Sequence, residues 1–207
     1  MIANNNSEYA FNDFLEVPNI PYKIVEALIT STSIDAENFF KCLKYSESDC
    51  LDKPELTLNE KRKMIWSPDQ NGWTQEQDFN IFLKPLVGNS LDTAEQQTQI
   101  RIYEYNILPT TKFQSVLSYA FDFITEEKTS LIYSNDILVE RTSFMQSCIL
   151  SIMNGRDIAI GQNYFQFSRD FNRYAGSVLN ISNSKSFYGR TLIMGLLYSN
   201  LQKGGEC

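Results

Sequence analysis

Apolar residues recur at helical spacing early in the chain and at alternate positions in its second half. From Pro21 to about Thr30, Ile24, Val25, Leu28 and Ile29 share one face, and Pro21 suits a first helical turn. A second helix is expected after Asp35 as N-cap, with Phe39, Phe40 and Leu43 on one side. Thr57-Leu58-Asn59-Glu60 has the form of a capping box and predicts a third, short helix through Met64 and Ile65. Residues 1–19 carry no period, so they read as an arm, and 20–66 read as a helical region.

The period then changes. Residues 67–99 are rich in turn formers, with Phe79, Ile81 and Leu83 marking one short strand. Ile100, Ile102 and Ile107 predict a strand running into Pro109. Residues 118–125 alternate, with Tyr119, Phe121 and Phe123 on one face. Arg141–Met153 is the clearest helix, striped by Phe144, Met145, Cys148, Ile149, Ile152 and Met153 and ended by Asn154-Gly155. Tyr164–Phe167 and Thr191–Tyr198 are expected to be further strands. Strands clustered after helices predict an α+β fold, with a mainly antiparallel sheet and one packed helix in residues 100–207, continuous with 20–66.

Composition narrows the chemistry. The 207 residues contain no histidine, which removes Ser-His-Asp and Cys-His catalysis and every histidine-containing zinc site. The four cysteines, Cys42, Cys50, Cys148 and Cys207, form no CxxC pair, so reduced thiols are expected, with Cys42 and Cys148 buried as small hydrophobes. No basic residue precedes Lys23 and no apolar run approaches ~20 residues, so neither an export signal nor a membrane span is expected. The net charge of −7 is uneven: residues 141–207 hold seven basic and three acidic side chains, leaving eleven and 22 in residues 1–140. Such a split favours head-to-tail contact between copies or a basic surface near nucleic acid.

Few residues form a catalytic pattern. No glycine-rich phosphate loop occurs, and Asp49, Asp52 and Glu55 lack calcium-loop spacing. Asp122, Glu126 and Lys128 are the one enzymatic constellation, a carboxylate on a strand followed by Glu-x-Lys, as in metal-dependent nucleases. Lys61-Arg62-Lys63 reads as a solvated helix face. Arg169, Arg173 and Arg190 lie among Tyr164, Phe165, Phe167, Phe171 and Tyr174, a mixture that suits subunit contact as well as single strands of nucleic acid. In a net negative chain, contact is the better reading.

The strand into Pro109, the aromatic strand 118–125, helix 141–153 and strand 191–198 together resemble the β-β-α-β plan of tailed-phage neck and tail-terminator proteins. The stretches Leu51–Lys61, Ile81–Pro85 and Ile100–Tyr103 are similar to phage structural proteins from that part of the virion. The resemblance implies a homo-oligomeric ring, commonly six-fold, with no catalytic residue, metal or cofactor. It implies a place in the virion neck or tail, after synthesis in the host cytoplasm. Its partners would be tail tube or sheath and connector proteins, with passing contact with DNA in the channel and none with membrane. Subunit contacts are expected from Tyr9, Phe11, Phe14 and Leu15 of the arm and from Arg169, Arg173 and Arg190. The alternatives are a head–tail adaptor ring and, from another class, a metal-dependent nuclease.

Overall fold

The computed structural model describes residues 17–67, 79–85, 98–111, 114–155, 165–167, 178–182 and 186–199. Within them the chain is α+β: three N-terminal helices precede a curled, mostly antiparallel sheet crossed by a fourth helix.

The first helix, α1 (Ile20–Thr30), follows from its apolar stripe, and Ile20, Ile24, Val25, Leu28 and Ile29 are all buried. Helix α2 (Ile34–Lys44) starts earlier than the sequence suggests. Its N-cap is Ser33, whose hydroxyl accepts from the Ala36 amide at 3.2 Å, and Asp35 instead sits in the first turn facing the helix dipole. The capping box of α3 (Leu58–Lys63) forms as the pattern predicts, with Thr57 and Glu60 bonded reciprocally.

The main sheet runs β1 (Ile81–Phe82), β2 (Gln99–Thr111), β3 (Gln114–Glu126), β8 (Ser186–Ser199) and β6 (Phe165–Gln166), with β7 (Val178–Ser182) also paired to β8. Among the described strand pairings of this sheet only β1–β2 is parallel, and Ile65 adds a single parallel bridge to Ile81. Strands β2 and β3 extend further than alternation alone indicates, because hydrogen bonding continues past the apolar register into polar residues. Helix α4 (Arg141–Met153) has the predicted bounds and packs on β3 and β8. Its Met145, Cys148, Ile149, Ile152 and Met153 are buried, while Phe144 is partly buried against the same core. Gly155, at φ 70°, follows it in the left-handed conformation that ends such helices.

One apolar cluster runs from α1 and α2 through α4 to Ile100, Ile102, Tyr119, Phe121, Phe123 and Leu192 on one sheet face. Val17, at the end of the arm, belongs to this cluster, and its carbonyl accepts from the Tyr119 hydroxyl at 3.4 Å. Among the described residues the opposite sheet face buries Phe82, Ala120, Ile124, Phe187 and Ile193, set among Arg101, Asp122 and Glu126. Sheet spacing is tight at Gly189, where an added Cβ would lie 2.6 Å from the Phe123 carbonyl oxygen.

Two strands absent from the sequence pattern form a separate hairpin: β4 (Leu131–Ser134) and β5 (Ile137–Glu140). Asn135 and Asp136, both with positive φ of 50° and 61°, make the two-residue turn. That is the turn whose twist suits a hairpin, and Asn and Asp tolerate it best among residues with a side chain.

Candidate functional site

The hairpin and its base form the most distinctive surface of the described molecule. Ile132 points into the core, and Val139 packs partly against it. On the other face Leu131, Tyr133 and Leu138 are about half exposed, whereas Ile137, opposite Ser134 at the turn, is on the Ile132 face and 65% exposed. Tyr133 and Leu138 stand directly opposite each other in the pairing. Three adjoining apolar side chains on one face of so short an element are what contact surfaces look like, whereas single exposed apolar residues are ordinary.

The hairpin is held at its base by Arg141, the first residue of α4, which is fully buried. Its Nε donates to the Thr129 carbonyl at 2.6 Å, just before β4. One terminal nitrogen donates to the carbonyls of Cys42 (2.7 Å) and Tyr45 (2.6 Å), the other to those of Ser46 and Glu47 (both 2.9 Å). All five acceptors are main-chain oxygens, and four of them, those of Cys42, Tyr45, Ser46 and Glu47, lie at and beyond the C-terminal end of α2, where carbonyls lack helical partners and the dipole is negative. A guanidinium has five N–H donors, so the match can satisfy the whole group. The Arg141 amide also donates to the Ser130 carbonyl at 2.7 Å, and the Tyr133 amide to the Ser48 carbonyl at 2.8 Å. The turn after α2, the start of α4 and the hairpin are thereby one rigid unit.

Of the predicted enzymatic residues, Asp122 and Glu126 lie on the opposite sheet face and Lys128 in the turn beyond it, and the three are not drawn together. Asp122, only 4% exposed, accepts from the Tyr103 hydroxyl at 3.0 Å and the Thr191 hydroxyl at 2.6 Å. Burial, and next the Asp122 carboxylate, push the Tyr103 phenol far above its ordinary range. Glu126 is four residues along the same strand, about 13 Å away along the backbone. Lys128 is exposed in the 3-10 turn Glu127–Thr129. Both Asp122 oxygens are bound by hydroxyls, an arrangement that fixes a strand row rather than opening a metal position. Among the described residues no group of three His, Cys, Asp or Glu side chains is placed to hold a metal.

The basic residues divide. Lys61 is buried, pairs with Glu37 at 2.6 Å and lies 5.1 Å from the centre of the Phe40 ring, which corrects its reading as part of a solvated face. Apolar surroundings hold the stem while Glu37 neutralises the head. Arg62 pairs with Glu26 at 3.0 Å, and the guanidinium, through its hydrogen bonds, holds the Glu26 carboxyl below its ordinary value. Arg190 binds Glu140 at 2.7 Å and so ties β8 to the base of the hairpin. Tyr9, Phe11, Phe14, Leu15, Arg169 and Arg173 lie outside the described residues.

Cys42, Cys50 and Cys148 are buried free thiols, Cys50 included although the sequence singled out only the other two. The Cys42 and Cys50 sulfurs are 3.8 Å apart. Burial pushes the Cys148 thiol up to about 12.

Sequence reasoning missed the hairpin and its anchor. Asn135-Asp136 between Leu131-Ile132-Tyr133 and Ile137-Leu138-Val139 was a usable signal, a turn pair between apolar runs. Nothing in the sequence marks Arg141, because four of its five acceptors are main-chain atoms of a segment nearly one hundred residues away.

Among the described residues, no helix is long and apolar enough to cross a membrane. Searches of curated proteins and of solved structures each match nothing. A family model described as YomW matches residues 36–196, which span α2, α3, the hairpin, α4 and nearly all of the main sheet. The chain therefore belongs to the YomW family, a phage-associated family.

Proposed function

We propose that the chain is a non-enzymatic structural component of a tailed-phage virion, forming a closed ring in the neck or at the head-proximal end of the tail. The ring ends tail-tube growth and joins tail to head. The observation that carries this reading is the exposed apolar face of Leu131, Tyr133 and Leu138 on a base fixed by Arg141. An assembly surface must be both sticky and stiff, since each side chain ordered on association offsets part of the gain. A heterologous contact repeated around an axis closes a ring instead of growing a filament when its rotation closes. The uneven charge of the two parts of the chain favours head-to-tail orientation over affinity. The family supplies the phage context.

The reading is tested in virions of the parent phage. Antibody or gold label against the chain should mark the head–tail junction, and deletion should yield separate heads and tails of irregular length. Normal virions without the protein, or label absent from purified virions, would remove the proposal. DNA cleavage that needs Mg²⁺ and is lost in Asp122→Ala would replace it with the nuclease reading.

A further inference from the structure

The turn after α2 carries a second chemistry that assembly does not use. Cys42 is in the last turn of α2 and Cys50 opens the 3-10 helix Cys50–Asp52, so the pair brackets residues 43–49. Their sulfurs are in contact at 3.8 Å, and the same segment supplies three of the carbonyls that grip Arg141, those of Tyr45, Ser46 and Glu47. The Ser48 carbonyl, also inside it, takes the hairpin's Tyr133 amide.

We propose that Cys42 and Cys50 are a redox site, a dithiol that exchange with a small-molecule disulfide converts to an intramolecular disulfide clamping the turn around Arg141. The first step is attack of the Cys50 thiolate on one sulfur of the small disulfide, which breaks its S–S bond and releases one thiolate. Cys42, deprotonated, then attacks the Cys50 sulfur of the mixed disulfide and displaces the second thiolate. The two cysteines lose two electrons and two protons, and the small disulfide gains them as two thiols.

Three features favour this route. The sulfurs are already in contact at 3.8 Å and need close only to the ~2.05 Å of a disulfide. The hydrogen bond from Cys42 lowers the Cys50 thiol against its burial, with the nearby Arg141 cation adding to it, while that same bond and burial raise Cys42, which sets Cys50 as attacker. Both sulfurs are buried, but Lys44, Glu47, Ser48 and Asp49 of the turn are exposed, so local opening of the turn gives the reagent access. Reaction is therefore slow while Arg141 holds the turn and faster when that hold is weakened.

The test uses the full chain held in mixtures of reduced and oxidised glutathione, then alkylated in denaturant and digested with trypsin. Cleavage after Lys44 separates the two cysteines, so the expected product is the peptide 42–44 linked to the peptide that begins at Tyr45, about 2 Da lighter than their sum. The oxidised chain should melt about 5–10 °C higher, as a short closed loop in a chain of this size implies. Cys148→Ala should leave both results unchanged, whereas Cys50→Ser should abolish the melting difference. The proposal is overturned if both thiols stay alkylatable throughout, if either links to Cys148 or to another chain, or if glutathione remains attached as a mixed disulfide. A melting difference that survives Cys50→Ser overturns it as well. Should Cys50→Ser not fold, the peptide map of the unaltered chain decides alone.

Discussion

Replacing Arg141 by Met keeps most of the side-chain volume in a fully buried position but removes all five donors. The consequences differ among the carbonyls. Those of Tyr45, Ser46 and Glu47 are near solvent and can recover water. Those of Cys42 and Thr129 are inside and cannot. Each buried acceptor left bare costs about 1–3 kcal/mol, and removing the desolvated charge returns part of that. The expected net loss is about 3–5 kcal/mol, a large share of the ~5–15 kcal/mol that holds a domain together. With a urea slope near ~2–3 kcal/mol per M, the midpoint should fall by about 1–2 M. Arg141→Lys, a point charge reaching fewer acceptors, should lie between the two. Amide exchange should also quicken at Tyr133, whose partner Ser48 follows the freed turn. A loss under ~1 kcal/mol with unchanged exchange would show that Arg141 only fills space, and the rigid-base argument would fail.

Other outcomes follow from separate parts of the structure. Gly189→Ala should destabilise by about 1–3 kcal/mol in urea melts, because its Cβ would meet backbone at 2.6 Å; a neutral result would mean that β3 and β8 can move apart. Ser33→Ala should cost about 1 kcal/mol by loss of the α2 cap, and no loss would return the capping role to Asp35. The depressed Glu26 carboxyl contributes stability that is present above its unfolded value of 4.5 and is lost as pH falls through its lower folded value. Urea midpoints should therefore drop more steeply below about pH 4.5 in the unaltered chain than in Glu26→Gln, and equal slopes would dismiss the pair.

The elements that sequence reasoning placed well are those whose cause is local. Helix α4 has its apolar stripe and its Asn154-Gly155 stop within its own letters, and β3 declares itself by alternation of Tyr119, Phe121 and Phe123. The same holds for the Thr57–Glu60 box. What escaped depends on distant partners. Strand β7 forms because β8 presents an edge to it, and β8 extends well before Thr191 for the same reason. Lys61 reads as a surface charge until Glu37 and Phe40 are brought beside it by packing of α3 on the other helices. The hairpin is half exposed, so its apolar residues do not alternate with polar ones as a strand on a core would, and Arg141 answers only to main-chain oxygens.

The central claim, that the hairpin face joins copies of the chain, is tested most directly by native mass spectrometry of the full chain beside Leu138→Asp. Leu138 is half exposed, so its replacement should leave the melting temperature nearly unchanged. The unaltered chain should give one closed oligomer at a whole multiple of 23.9 kDa, and Leu138→Asp should give monomer. The account is contradicted if both are monomers at all concentrations reached, or if Leu138→Asp assembles as well as the unaltered chain.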